Sequence, residues 1–183
     1  MDLGNQRILP AVRGMKQFEN LVASKYTYLV LLDSHVGQLK SIVRHAKANG
    51  KRILLHADLV HGLKTDEYAA EFLCQEIKPA GLISTRTGMI QTAKKKGLLA
   101  IQRLFLLDSL ALETSYKLLK KTKPDYLEVL PGVMPHIIRE VKEVTGIPIF
   151  AGGLIRTKAD VQSALDAGAE AVTTSRKELW REF

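Results

Sequence analysis

Eight short apolar runs alternate with amphipathic stretches along one chain of 183 residues, a pattern that predicts a small (β/α)8 barrel of the TIM type. Three observations carry the prediction. The runs are apolar almost throughout, as parallel strands covered on both faces are. The stretches between them have helical spacing and end in helix breakers. The count reaches eight, at about 23 residues per unit over 183 residues, which is compact for a barrel. An open doubly wound sheet is the other arrangement such alternation allows. No linker or low-complexity tract divides the chain, so residues 1–183 are expected to form one domain.

The predicted strands are ILPAV (8–12), YLVLL (28–32), RILLH (52–56), GLIS (81–84), LLAIQRLF (98–105), YLEVL (126–130), PIFA (148–151) and AVTT (171–174). Leu39, Ile42, Val43 and Ala46 mark one helical face, Ile137, Val141 and Val144 a second, and Val161, Ala164 and Leu165 a third. Helix ends are signalled by Asn49-Gly50, Lys96-Gly97, Lys123-Pro124, Gly146 before Pro148, and Gly168.

Composition narrows the class. The single cysteine, Cys74, excludes an internal disulfide framework and suits a reducing, cytoplasmic setting, with Cys74 expected as buried packing. The N-terminal MDLGNQRILPAVRG lacks the apolar core of a signal peptide, and no apolar run is long enough for a membrane span. Lys plus Arg is 27 against 19 for Asp plus Glu, so the net charge is +8 and an anionic partner is favoured.

Chemistry is concentrated at the predicted strand ends. Gly152-Gly153 closes the seventh strand and Thr174-Ser175 the eighth, just before the short segment RKELW. In a (β/α)8 barrel these two turns, with the start of a short final helix, often form a phosphate site. Glycine lets backbone amides approach an anion, and a helix start supplies free N–H groups. Arg156 and Arg176 lie close enough in sequence to add charge. The simpler reading is a pair of tight turns with Ser175 as a helix cap. The remaining strand ends bring Arg13, Asp33 and His35, His56 and Asp58, Ser84 to Arg86, Arg103 and Asp108, and Glu128 with Pro131-Gly132 to the same mouth. Arginine forks hold phosphate and carboxylates accept from hydroxyls, so Arg13, Asp33, Asp58, Arg103, Glu128 and Gly132 join Gly152, Gly153, Thr174 and Ser175 as candidate ligand-binding residues. Such a set suits a small phosphorylated polyol. Each aspartate could equally be a turn or cap residue.

No lysine stands at a strand end, which argues against a Schiff-base aldolase. There is no GxGxxG, Walker A or G-x-S-x-G motif, and His56, Asp58 and His61 lack an obvious partner set for a metal. No metal and no catalytic residue is expected. The alternative is an isomerase or glyceryl-phosphate transferase using Asp58 or Glu128 as a base.

A second charge pattern lies at the helix C-termini: Arg44 and Lys47, Lys51-Arg52, Lys94-Lys95-Lys96, and Lys117, Lys120, Lys121 and Lys123. These ends share the face opposite the mouth. Cations there also suit the helix dipole. Gathered on one face, Arg44, Lys47, Lys51, Arg52, Lys94, Lys95, Lys96, Lys120 and Lys121 are candidate contacts for RNA phosphates. Tyr116 is the only aromatic among the lysines of the last cluster, so stacking on bases is not expected.

The segments PAVRG (10–14), VLLDSHVGQL (30–39), LLHADLVHGL (54–63), GLISTR (81–86), QRLFLLDS (102–109), PDYLEVLPGVMP (124–135) and IFAGGLI (149–155) occur in order over nearly the whole chain. Together they resemble the glycerol-uptake-operon antiterminators, the glycerol-3-phosphate-responsive regulators of bacteria. The resemblance implies a cytoplasmic regulator rather than an enzyme, with glycerol 3-phosphate as effector and no cofactor. It also implies action on the leader mRNA of glycerol-catabolic genes, favouring readthrough past a terminator. A homo-oligomer is compatible with the sequence.

Overall fold

The computed structural model describes residues 3–183, so the first two residues of the expected 1–183 domain lie outside the described residues. Eight parallel strands form a closed barrel: β1 (Ile8–Arg13), β2 (Tyr28–His35), β3 (Arg52–His56), β4 (Gly81–Ser84), β5 (Leu99–Phe105), β6 (Tyr126–Leu130), β7 (Ile149–Gly152) and β8 (Ala171–Thr174). Each pairs with its neighbours in sequence, and β1 closes the ring by pairing with both β2 and β8. Among the described residues, eight α-helices follow the strands in turn: α1 (Met15–Val22), α2 (Val36–Ala48), α3 (Glu67–Phe72), α4 (Thr87–Lys95), α5 (Ser109–Thr122), α6 (Pro135–Thr145), α7 (Lys158–Asp166) and α8 (Lys177–Glu182). The eight expected strands are all present, with ends moved by at most a few residues. The largest extension is at β2, where Ser34 and His35 pair with the two-residue strand Val60–His61.

Strand alternation divides the apolar residues into two layers. Leu9, Ala11, Tyr28, Val30, Leu54, Ile83, Ile101, Tyr126, Phe150 and Ala171 fill the barrel. Tyr126 and Phe150 stack there with ring centres 4.6 Å apart. The alternate strand residues face the helices in a second, larger cluster that includes Leu29, Leu31, Leu55, Leu82, Leu127 and Val172. Leu39, Ile42, Val43 and Ala46 of α2 are buried in that layer as expected. Helix α6 is turned differently from the expected face: Ile138 and Val141 are buried, whereas Val144 is 60% exposed. The helix starts with Pro135 and places Thr145, not Val144, over Val141, where its hydroxyl donates to the Val141 carbonyl at 2.6 Å. Cys74 is buried in a π-helical turn (Leu73–Ile77) that continues α3.

Candidate effector site

At the C-terminal end of the barrel the inward-facing layer changes from apolar to polar. The inward positions there are Arg13, His56, Arg103, Glu128, Gly152 and Thr173. Strand pairing sets the neighbours: Arg103 lies opposite Glu128 across β5 and β6, and Gly152 lies opposite Thr173 across β7 and β8. Above this layer is a cavity of about 310 Å³, lined by residues that include Arg13, Arg103, Arg156, Arg176, Glu128, Gly153, Thr173, Thr174 and Ser175. Four guanidinium groups against one carboxylate give the cavity a strong bias toward anions.

The backbone at the cavity is shaped by its glycines. Gly153 has φ +75°, and Leu154 follows at φ +60°, a conformation costly for a side chain with a Cβ. Among the described residues, no protein acceptor meets the amides of Gly153, Leu154 or Ser175. Two such amides follow β7 and one follows β8, beside one cavity. The turn after β8 is fixed from behind: Thr174 Oγ1 accepts from the Arg176 amide at 3.2 Å, and the Trp180 indole donates to the Thr174 carbonyl at 2.9 Å. Arg176, not Ser175, occupies the cap position of α8.

The floor is a buried network. Glu128 is 3% exposed, and its Oε1 accepts from the Thr173 hydroxyl at 2.8 Å. Its Oε2 lies 3.3 Å from Arg103 Nε, close enough for an ion pair but without the alignment of a hydrogen bond. Burial pushes the Glu128 carboxyl above its ordinary range, while Arg103 and Thr173 pull it down. The Arg103 guanidinium also meets His56 Nε2. Burial first, and then Arg103, push the His56 imidazole down to about 4, with Asp58 acting in the opposite direction.

Gly153, Thr174, Ser175, Arg13, Arg103 and Glu128 therefore meet in one cavity. Gly152 and Gly132 stand behind it. The Gly132 amide donates to the Gly152 carbonyl at 2.6 Å, and a Cβ on Gly132 would come within 2.7 Å of the Gly152 nitrogen. Asp58 is committed elsewhere: it accepts from the Ser84 hydroxyl, the Thr85 amide at 2.8 Å and the Thr85 hydroxyl at 2.9 Å, tying two mouth loops together. Asp33 is exposed at the rim, with His61 Nε2 2.7 Å from its Oδ1. Asp108 and His35 are helix caps, accepting from the Ala111 and Gly37 amides. Thr173 was not among the expected ligand residues. Its signal was the strand alternation that aligns it with Arg13, Arg103 and Glu128.

On the opposite face Lys47, Arg52 and Lys94 border a groove of about 980 Å³. Lys94 also borders a neighbouring hollow with Lys120 and Lys123, while Lys121 lines a third. Lys51 lines the same groove but is only 8% exposed, and its ammonium is turned onto the Ser24 and Tyr26 carbonyls at 2.6 and 2.8 Å. Lys94 and Lys96 are partly neutralised by Asp125 and Glu71. Arg44, Lys47, Lys95, Lys120 and Lys121 are exposed.

Fold and cavity together define a (β/α)8 barrel with an arginine-rich cavity at its mouth. Comparison with known proteins gives its family. The chain belongs to the glycerol-3-phosphate responsive antiterminator family, whose sequence profile matches residues 8–180. It is 47% identical to the glycerol uptake operon antiterminator regulatory protein of Listeria monocytogenes, whose crystal structure superposes with a TM-score of 0.97 over 100% of this chain and 99% of that one. A glycerol uptake operon antiterminator-related protein from Thermotoga maritima is 29% identical, with a TM-score of 0.85 over 96% of this chain and 98% of that one. The uncharacterized Escherichia coli protein YgcP is 30% identical over 173 residues, covering 94% of this chain and 91% of YgcP. Likeness to deoxyribose phosphate aldolase from Aeropyrum pernix, at 18% identity and a TM-score of 0.72 over 95% of this chain and 87% of that one, is a likeness of fold. Among the described residues, no helix is long and apolar enough to cross a membrane.

Proposed function

We propose that the protein binds glycerol 3-phosphate in the mouth of the barrel and, so loaded, acts on a leader mRNA to promote readthrough of a terminator. The observation that carries the effector half is the set of amides at Gly153, Leu154 and Ser175, without protein acceptors among the described residues, beside a cavity with four arginines. Backbone amides with nearby guanidinium groups are a general solution for phosphate. A cavity of about 310 Å³ suits a three-carbon ester and is at the small end for ligand sites. Family membership supports both the effector and the regulatory role. The basic face around Lys47, Arg52, Lys95, Lys120 and Lys121 supports RNA phosphates as the other partner. Effector binding shifts the protein toward an RNA-competent state only through tighter binding to that state, and a tenfold shift needs about 1.4 kcal/mol.

Two assays test this. Calorimetry with glycerol 3-phosphate should show saturable binding that Gly153→Asp abolishes, since a carboxylate there repels the phosphate. Unchanged affinity in that variant would place the effector elsewhere. A gel-mobility assay with leader RNA should show a shift that depends on effector and on RNA sequence. A shift independent of both would refute the regulatory reading. The second reading is an enzyme using the buried Glu128, whose carboxyl is pushed toward the protonated form. Turnover of glycerol phosphates by the purified protein would favour it.

A further inference from the structure

Helices α1 and α8 leave a groove of about 750 Å³ between them, lined by Asn20, Lys25, Lys177 and Arg181 beside the buried Tyr26 and Trp180. Glu19, Glu178 and Glu182 stand on the same helices but do not line it. Among the described residues, Lys25, Lys177 and Arg181 have no ion-pair or hydrogen-bond partner, and the Lys25 ammonium lies 5.6 Å from the centre of the Tyr26 ring. The groove at the base of the barrel differs. There Lys51 is held by two carbonyls, Arg52 donates to the Tyr28 hydroxyl at 3.0 Å, and Lys94 donates to Asp125 at 3.1 Å. Three free cations on two elements, in a groove larger than the mouth cavity, suit a chain of phosphates better than one small anion. Asn20 is exposed beside them, and its amide can donate to and accept from a base edge. The groove is also bonded to the mouth. The Tyr26 hydroxyl donates to the Trp180 carbonyl at 2.7 Å, and the Trp180 indole donates to the Thr174 carbonyl at 2.9 Å. Gln17, on the same groove, accepts from the Arg13 amide at 2.9 Å. Thr174 and Arg13 both line the mouth cavity.

We propose that the α1–α8 groove is a contact site for a single-stranded segment of the leader mRNA, coupled to the effector cavity through Trp180. This rests on the regulatory reading above and adds a second contact surface to the lysine-bearing base of the barrel. Lys25, Lys177 and Arg181 hold phosphates, and Asn20 pairs with a base. An unpaired strand is the form that fits, because a duplex hides its base edges in a deep, narrow groove while a free strand offers them to side chains. The Trp180 indole is the bond by which a change in the turn after β8 reaches α8.

The experiment titrates the full chain into leader RNA at several salt concentrations, with and without saturating glycerol 3-phosphate. A Lys25/Lys177/Arg181 triple alanine variant should bind at least tenfold more weakly at low salt. Its plot of log affinity against log salt should flatten by about two units, at about 0.7 per phosphate contact. The three side chains are exposed, so the melting temperature and the affinity for glycerol 3-phosphate should match the wild type. Asn20→Ala should keep the slope and lower the preference for leader RNA over a scrambled sequence of equal length. Trp180→Phe, which keeps an aromatic ring and removes the indole N–H, should shrink the effector-induced gain in RNA affinity severalfold. Leader RNA carrying 4-thiouridine needs no variant: irradiation should attach it within residues 17–26 or 177–181. Cross-links confined to other segments overturn the proposal, as do wild-type affinity and slope in the triple variant. An undiminished gain in Trp180→Phe overturns the coupling. If the wild type binds no leader RNA, the regulatory reading falls and the groove with it. If it binds and the triple variant binds equally, only the groove falls.

Discussion

At position 152 a Cβ would come within 2.4 Å of Thr173 Oγ1 and 3.2 Å of Glu128 Oε1. Glycine there is a matter of close approach. The Gly152→Ala methyl would push the Thr173 hydroxyl off Glu128, leaving a buried carboxylate with less support. Overpacking of this kind costs about 1–3 kcal/mol, so urea denaturation should show the variant destabilised by that order, with weaker effector binding. An unchanged midpoint would mean that Thr173 moves aside freely. His56 sets a pH dependence at the same floor. Its folded value is depressed to about 4 from the ordinary 6.5, so the folded state keeps it neutral while the unfolded chain takes up a proton. Its contribution is present above about 6.5 and is lost as pH falls through about 4. His56→Gln should lose less stability than the wild type between those limits, and an identical decline would contradict the assignment. At this scale the sequence revealed which residue types gather at the mouth, but not their commitments. Asp58 and Asp108 read like Glu128 in a strand-end tally. Only the folded chain shows the first two spent on Thr85 and Ala111 and the third held in the barrel between Thr173 and Arg103.

Elements were more legible than contacts. Strands buried on both faces leave continuous apolar runs, and the breakers at Asn49-Gly50, Lys96-Gly97 and Gly146 do end α2, α4 and α6. The face of α6 was less readable, because Ile137 and Ile138 are adjacent and a shift of one residue exchanges buried for exposed positions. The β7–α7 connection joins element to site. Gly153 and Leu154 take left-handed conformations, and the chain then enters α7 through a capping box between Thr157 and Asp160. Asp160 also accepts from the Arg156 amide at 2.9 Å, so the box fixes the backbone that carries a cavity arginine. These amide bonds hold the Asp160 carboxyl below its ordinary value. Thr157→Ala should cost about 1 kcal/mol in a thermal melt and weaken effector binding modestly. A loss of stability with unchanged affinity would separate the cap from the cavity.

The whole molecule has two faces with different electrostatic character. The mouth is a small cavity with convergent cations, built from strand ends. The base carries an open groove with lysines at helix ends, where Lys47, Lys95, Lys120 and Lys121 are exposed and Lys51 is not. Net charge suggested an anionic partner without saying where it would sit. Chain topology places the two cationic groups on opposite ends of one barrel. If RNA lies on the base, binding should weaken steeply with salt, and a Lys95/Lys120/Lys121 triple alanine variant should flatten the plot of log affinity against log salt by about two to three units. An unchanged slope would move RNA off this face. At the other end, we propose, main-chain amides after β7 and β8 hold a phosphate. The most direct measurement follows the backbone amide resonances of the isotope-labelled protein as glycerol 3-phosphate is added. Large saturable shifts at Gly153, Leu154 and Ser175, with one common affinity, are the predicted result. Saturable binding that leaves those three resonances still while moving others would contradict it.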